Sequence, residues 1–89
     1  EAAFRDCYKL TEVTIPNGVE TIPEEAFIWC ESLKTVTIPA SVTEIGEDAF
    51  CGCDDLTAVF FGGSEDQWRA ITIGDYNDKL TGATIVFGE

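Results

Sequence analysis

The sequence repeats itself with a 23-residue period, and this period constrains the fold more than any other feature. Residues 33–55 match residues 10–32 at 11 of 23 positions. Four residue types recur three times at this spacing: Leu10, Leu33 and Leu56; Ala3, Ala26 and Ala49; Phe4, Phe27 and Phe50; Cys7, Cys30 and Cys53. Such a repeat indicates a solenoid, because one unit cannot bury its apolar side chains without stacked neighbours.

Each unit is predicted to form a strand, a corner, a short extended return and a helical turn. Residues 36–38, Val-Thr-Ile, alternate apolar and polar side chains as a half-buried strand does. Pro39 ends this strand because it lacks the backbone donor of a ladder. Residues 42–45 carry the chain back. Residues 46–50 and their counterpart 23–27 are predicted to be helical turns, since proline followed by acidic residues is typical of a helix start.

This pattern, L-x-x-V-x-I-P-x-x-V-x-x-I-G-x-x-A-F-x-x-C, resembles that of the BspA-like leucine-rich repeats. Residues 33–53 match it at every named position, and residues 10–30 match with Pro23 in place of glycine. The asparagine or cysteine of commoner leucine-rich repeats is replaced by Gly18 or Ser41. The resemblance implies an α/β repeat fold: a leucine-rich-repeat solenoid with a parallel β-sheet face, short helical turns and a C-terminal cap.

The C-terminal segment departs from the repeat. Val59 and Phe61 keep the strand register, and Trp68 falls where Ile45 stands in the preceding unit. Residues 64–67, Ser-Glu-Asp-Gln, are typical of a capping box that opens a short helix. Residues 83–87 are predicted to form a last strand, and the segment is similar to the one that closes such arrays.

The chain is interpreted as one leucine-rich-repeat domain over residues 1–89. We expect a partial repeat at 1–9, full repeats at 10–32 and 33–55, and the last strand with the cap at 56–89. Because residue 1 falls inside a repeat, we expect the chain to be a piece of a longer array. Its open N-terminal repeat edge is then a candidate surface for self-association.

Charge and composition exclude several functions. Seventeen acidic residues against five basic ones give a net charge of −12, which disfavours nucleic acid as a partner. No apolar run approaches the roughly 20 residues of a membrane span, so no membrane insertion is predicted. The sequence has no histidine, and Ser32, Ser41 and Ser64 have no nucleophile motif around them. We therefore predict no enzyme activity and no cofactor.

The four cysteines are candidates for metal ligands and for packing residues. Cys7, Cys30 and Cys53 are predicted to stack as a ladder of buried thiols, since parallel Cβ vectors do not suit a disulfide. Cys51 lies off this ladder and is predicted to point outward. Cys51 and Cys53 as a zinc half-site lack further cysteine or histidine ligands.

Acidic residues recur at the corners of the units. Glu24 and Glu47 occupy equivalent places and are interpreted as a solvated face. Residues 75–78, Asp-Tyr-Asn-Asp, and the pair Asp54 and Asp55 offer oxygen ligands, but their spacing does not match a calcium loop. Aspartate and asparagine are also common turn formers, so no metal site is predicted.

The concave face of the sheet is the candidate binding surface. Side chains alternate along a strand, so every second residue points away from the core. The outward residues are predicted to be Glu12, Thr14, Thr35, Thr37, Ala58 and Phe60. Phe60 is either an exposed anchor or covered by the cap. Trp29 is either an exposed anchor or lies against the neighbouring coil.

The resemblance implies a function as well as a fold. The resemblance to BspA-like repeats implies a bacterial cell-surface or secreted protein that takes part in adhesion. We therefore expect a non-catalytic module that binds a protein or a glycan. The alternative is a structural cap of a longer array whose ligand site lies elsewhere.

Overall fold

The computed structural model describes residues 10–88, so the predicted partial repeat and Cys7 lie outside the described residues. The chain coils through short strands that stack into two parallel sheets, with two short helices in the C-terminal segment. In chain order the elements are β1 Glu12–Thr14, β2 Thr21–Ile22, β3 Thr35–Ile38, β4 Glu44–Ile45, β5 Ala58–Phe61, α1 Glu65–Arg69, β6 Thr72–Ile73, α2 Asp78–Thr81 and β7 Thr84–Phe87.

Every strand pairs in parallel with a strand of a neighbouring coil. The larger sheet has the order β1-β3-β5-β7, and the smaller sheet has the order β2-β4-β6. Val13 lies beside Val36 and Val36 beside Val59, so the period of the sequence is also the register of these three strands. The parallel leucine-rich-repeat solenoid predicted from the sequence is confirmed.

Stacked side chains fill the interior between the two sheets. The fully buried ladder positions carry leucine, valine, isoleucine, phenylalanine and cysteine, as the repeat predicts: Leu33, Val36, Ile38, Ile45, Phe50, Cys30, Cys53, Val59 and Phe61. The rings of Phe27 and Phe50 stack with centroids 5.2 Å apart and planes 18° from parallel. Burial of the larger apolar side chains contributes roughly 1.5–3 kcal/mol each, so the ladders contribute to the cohesion between coils together with the backbone hydrogen bonds.

Close approach between coils explains the glycine of the repeat. A Cβ atom on Gly46 would overlap the backbone of Glu24 in the coil before it, and one on Gly74 would lie 2.6 Å from the nitrogen of Glu47. Gly74 therefore repeats the role of Gly46 one coil later.

The corner segments differ from the predicted helical turns. Residues 24–29 and 47–52 form consecutive turns, and the described helices lie in the C-terminal segment instead. Glu25 and Asp48 have φ angles of 61° and 62°, which a right-handed helix does not contain. Left-handed residues reverse the chain within the corner, so the acidic residues there do not cap a helix.

The predicted register of Trp68 was wrong. Ile73, not Trp68, pairs with Ile45 in the smaller sheet. The strand partner of Ile45 therefore lies five positions later than the 23-residue period predicts. The added length accommodates helix α1, which begins with the predicted capping box: Ser64 Oγ accepts from the N–H of Gln67, and Gln67 Oε1 accepts from the N–H of Ser64. Trp68 lies in this helix and packs edge-on against Phe61, with ring centroids 5.3 Å apart.

Asn77 completes the hydrogen bonds of the last coil. In the preceding coil the N–H of Phe27 donates to the carbonyl of Ala49, at 2.8 Å. One coil later the N–H of Phe50 donates to Asn77 Oδ1 instead, at 2.9 Å. Asn77 Nδ2 donates to the carbonyls of Gly46 and Gly74, at 3.0 and 2.9 Å. This buried side chain therefore takes the place of a further turn of backbone.

Substituting Asn77→Ala should destabilise the protein by about 2–4 kcal/mol, because it leaves the buried N–H of Phe50 and two carbonyls without this partner. Urea unfolding followed by circular dichroism measures the change. The matched control is Asn17→Ala at an exposed corner, which should stay within roughly 0.5 kcal/mol of the parent. An equal decrease in the free energy of unfolding in the two variants would contradict the capping role of Asn77.

Candidate functional site

The outward face of the larger sheet brings all six predicted binding residues together. We call it the sheet face; it comprises Glu12, Thr14, Thr35, Thr37, Ala58, Phe60, Thr84 and Val86. None of these side chains is buried, whereas their strand neighbours Val36, Val59 and Phe61 are. Exposed and buried side chains therefore alternate along these strands, and the six predicted residues all lie on the exposed side.

The pairing register arranges the sheet face in two rows. One row runs Glu12, Thr35, Ala58, Thr84, and the other runs Thr14, Thr37, Phe60, Val86. Neighbours in a row are about 4.8 Å apart, the spacing of paired strands. The first row is mostly polar and small, while the second changes from threonines to a large apolar pair.

Phe60 and Val86 form this apolar pair at the C-terminal end of the sheet face. Their side chains are 42% and 44% exposed. Together with Thr37, Gly62 and Gly88 they border a shallow cavity of about 190 Å³. The cap does not cover Phe60, so of the two alternatives the exposed one holds.

Thr84 and Val86 belong to the sheet face but were missed from the sequence. They lie on β7, whose pairing sets Val86 beside Phe60, whereas the repeat period would place residue 83 there. The signal was the alternation within residues 83–87, where Ile85 and Phe87 lie half-buried against the core. Aligning the inward residues Ile85 and Phe87 with Val59 and Phe61 of β5 sets Val86 beside Phe60.

Trp29 combines the two alternatives predicted for it. Its six-membered ring lies over Gly52 of the next coil, where a Cβ atom would overlap the ring. The side chain is nevertheless 44% exposed. Trp29 thus packs against the neighbouring coil with one side and meets solvent with the other.

The cysteines of the described chain divide as two buried thiols and one half-buried thiol. Cys30 and Cys53 stack in the interior as predicted, and Cys53 Sγ donates to the carbonyl of Phe27, at 3.2 Å. Burial, followed by the neighbouring Cys30, raises the pKa of Cys53 to about 12. Cys51 is half-buried, more enclosed than the outward position predicted, and its pKa is raised by burial and then by nearby aspartates.

Acidic residues line the corner at the start of each turn segment. Glu47 is exposed there, with Glu24 in the coil before it and Asp75 in the coil after it. Desolvation of its carboxyl, followed by the charges of Asp48, Glu24 and Asp75, raises the pKa of Glu47. This row therefore carries mutual repulsion at neutral pH.

Within residues 10–88, no three cysteine, aspartate or glutamate side chains cluster closely enough to hold a metal ion. In the candidate calcium segment, Asn77 directs its side chain to backbone groups and Tyr76 takes a left-handed turn conformation. The same described range contains no helix long and apolar enough to cross a membrane.

Comparison with known proteins identifies the family. The family model described as the BspA type leucine rich repeat region (6 copies) matches residues 1–76. The chain belongs to this family. The BspA-type chain is also similar to the crystal structure of a leucine rich cell surface protein from Faecalibacterium prausnitzii A2-165, with 42% identity and a TM-score of 0.79. The similarity covers 81% of the chain and 19% of that structure's chain. No curated protein matches the sequence.

Thiol labelling should separate the cysteines of this BspA-type chain. Only the thiolate reacts, so Cys53, with its pKa raised to about 12 and its side chain buried, should resist alkylation by iodoacetamide at pH 8. Cys51 should be labelled at least about tenfold faster, since it is half-buried. Peptide mapping by mass spectrometry locates the label, and 6 M guanidinium chloride should equalise the two rates.

Because the pKa of Glu47 is raised, removing its charge should increase the thermal stability of the protein in a pH-dependent way. A carboxyl whose pKa is higher in the folded state than the usual 4.5 favours folding below that value and opposes it as pH rises through the folded pKa. The Glu47→Gln variant should therefore melt at a higher temperature than the parent at pH 7 and low salt, with no gain below pH about 4. The same change at exposed Glu44 is the control, and a gain of equal size there would contradict local repulsion at Glu47.

Proposed function

We propose that this chain is a non-catalytic binding module of a bacterial surface or secreted protein and that the sheet face contacts its protein or glycan ligand in adhesion. Membership of the BspA-type family supports a repeat module that binds or supports structure. The similarity to a protein described as a leucine rich cell surface protein supports the surface location.

The observation that carries this proposal is the exposed pair of Phe60 and Val86. A protein of this size gains stability by burying such side chains, yet both stand on the outer face of rigid, paired strands. Phe61 and Trp68 fix strand β5 from the other side of the sheet. The pair is therefore held in place before a ligand arrives, which reduces the entropy lost on binding.

Threonines beside the apolar pair supply the polar part of the surface. Thr37 borders the same shallow cavity, and Thr14 and Thr35 extend the rows toward the N-terminal coils. Hydroxyl groups donate and accept hydrogen bonds, and β-branched side chains have little rotamer freedom to lose. An apolar anchor with a rim of hydroxyls suits a flat protein surface or the face of a sugar ring.

A second function, that of a structural cap, is favoured by Asn77. Its side chain satisfies the backbone of the last repeat where a further coil would otherwise stand. A chain used only in this way would stabilise an array whose ligand contacts lie in other coils.

Substituting Phe60→Asp separates the two functions. The 89-residue chain and a chain extended upstream are screened against extracellular matrix proteins and glycans, with and without calcium. Under the binding proposal both chains bind one ligand, and the substitution weakens binding by about 30-fold or more, as expected for an anchor worth about 2 kcal/mol. The Thr72→Asp variant is the control, because it introduces the same charge at an exposed strand position of the smaller sheet, outside the sheet face.

Binding by the extended chain alone, unchanged by Phe60→Asp, would leave this segment as a cap. Melting temperatures of both variants are measured alongside, since an exposed substitution should change stability by little. A loss of binding in Thr72→Asp equal to that in Phe60→Asp would exclude the sheet face as the site.

A further inference from the structure

Two large aromatic side chains, Trp29 and Tyr76, are exposed outside the sheet face. Trp29 is 44% exposed and Tyr76 65%. Both have left-handed backbone conformations, with φ angles of 64° and 67°. Bulky residues rarely adopt this region, and one coil after Trp29 the equivalent position is Gly52, with φ 81°. Glycine adopts this left-handed conformation without steric strain, so the turn itself does not require an aromatic residue at either position.

Gly52 connects these two residues, because it contacts the ring of Trp29 and lines a cavity with Tyr76. The ring of Trp29 covers Gly52 from the preceding coil, and Gly52 lines a cavity of about 160 Å³ together with Cys51, Tyr76, Asp78 and Lys79. We call this cavity, together with the adjoining ring of Trp29, the turn pocket; its residues are Trp29, Cys51, Gly52, Tyr76, Asp78 and Lys79. Tyr76 therefore lines this shallow depression directly, while the ring of Trp29 lies against Gly52, one of its lining residues.

The turn pocket carries negative charge. Asp48, Asp54 and Asp78 all lie close enough to Cys51 to raise its pKa, in addition to the effect of burial. Lys79 Nζ lies 3.7 Å from Asp54 Oδ1, so its positive charge is offset locally. The whole chain adds to this field, with a net charge of −12.

We infer that the turn pocket binds a basic peptide segment of a partner protein, with an arginine or lysine side chain against Trp29 or Tyr76 and paired with Asp78. A cation is attracted both by the face of an aromatic ring and by the carboxylates around it. A neutral sugar would donate hydroxyl hydrogen bonds to the aspartates but would gain no charge attraction from them, and a nucleic acid would be repelled. This site is separate from the sheet face and does not depend on the function proposed for it.

Tetra-arginine amide is the probe, titrated into the ¹⁵N-labelled 89-residue chain at 50 and 150 mM NaCl. Shifts should concentrate on the indole N–H of Trp29 and the amides of Gly52 and Lys79, and affinity should fall with salt. Trp29→Gly and Asp78→Asn should each weaken binding by about fivefold or more. Trp29→Gly should stay folded because glycine adopts the left-handed conformation freely, and Tyr76→Asn provides a second aromatic deletion.

Glu44→Gln is the control, since it removes the same charge as Asp78→Asn from the smaller sheet and should leave affinity within about twofold. Shifts spread over the acidic surface, with equal losses in Glu44→Gln and Asp78→Asn, would overturn the proposal in favour of general charge attraction. Equal shifts of the same signals by neutral chitotetraose would overturn it in favour of a saccharide site.

Alkylation of Cys51 gives an independent reading. This thiol lines the turn pocket, so bound tetra-arginine amide should change its rate of reaction with iodoacetamide, either by covering the thiol or by favouring the thiolate, and peptide mapping locates the label. Unchanged labelling of Cys51 at saturating peptide would place the peptide elsewhere and overturn the proposal.

Discussion

Hydrogen bonding between the backbones of successive coils is the constraint on which this structure depends. The N–H groups of Ile15, Trp29 and Gly46 each bond to a neighbouring coil, at Thr37, Cys51 and Ile22, so sheets and corners alike are tied along the solenoid. Such bonding is incomplete wherever the stack ends, and a buried unpaired group is costly. Asn77 resolves this at the corner of the last coil with one side chain, which explains why a polar residue is buried among apolar ladders.

The fold could be predicted because the same pattern of apolar residues occurs in successive units of the repeat. Where units are identical, as for Val13, Val36 and Val59, the period of the sequence is also the register of the sheet. The prediction failed where only one copy exists, because helix α1 moves the partner of Ile45 from Trp68 to Ile73. The capping box at residues 64–67 indicated a helix at this point but not the length that it adds to the coil. The corners were predicted wrongly because acidic residues near the start of a turn favour a helix, whereas Glu25 and Asp48 take left-handed conformations that their residue types do not indicate.

The candidate site was predictable in orientation but not in extent. Alternation along a strand placed Phe60 outward, since that rule needs only the strand itself. Its exposure depended on where the cap lies, and its neighbour Val86 depended on the pairing of β7 with β5, which does not follow the repeat. The turn pocket was harder still, because Trp29 and Tyr76 come from different coils and are related only through Gly52, which contacts the Trp29 ring and lines the cavity with Tyr76.

The helix inserted between β5 and β6 shows how tolerant the solenoid is of added length. The chain lengthens at this point, yet Ile45 and Ile73 remain paired and the sheet face continues without interruption into β7. Loops that connect stacked strands add little closure entropy as they lengthen. The connection after Phe61 is therefore a natural place to graft a foreign peptide for display, leaving both sheets and their outward residues undisturbed.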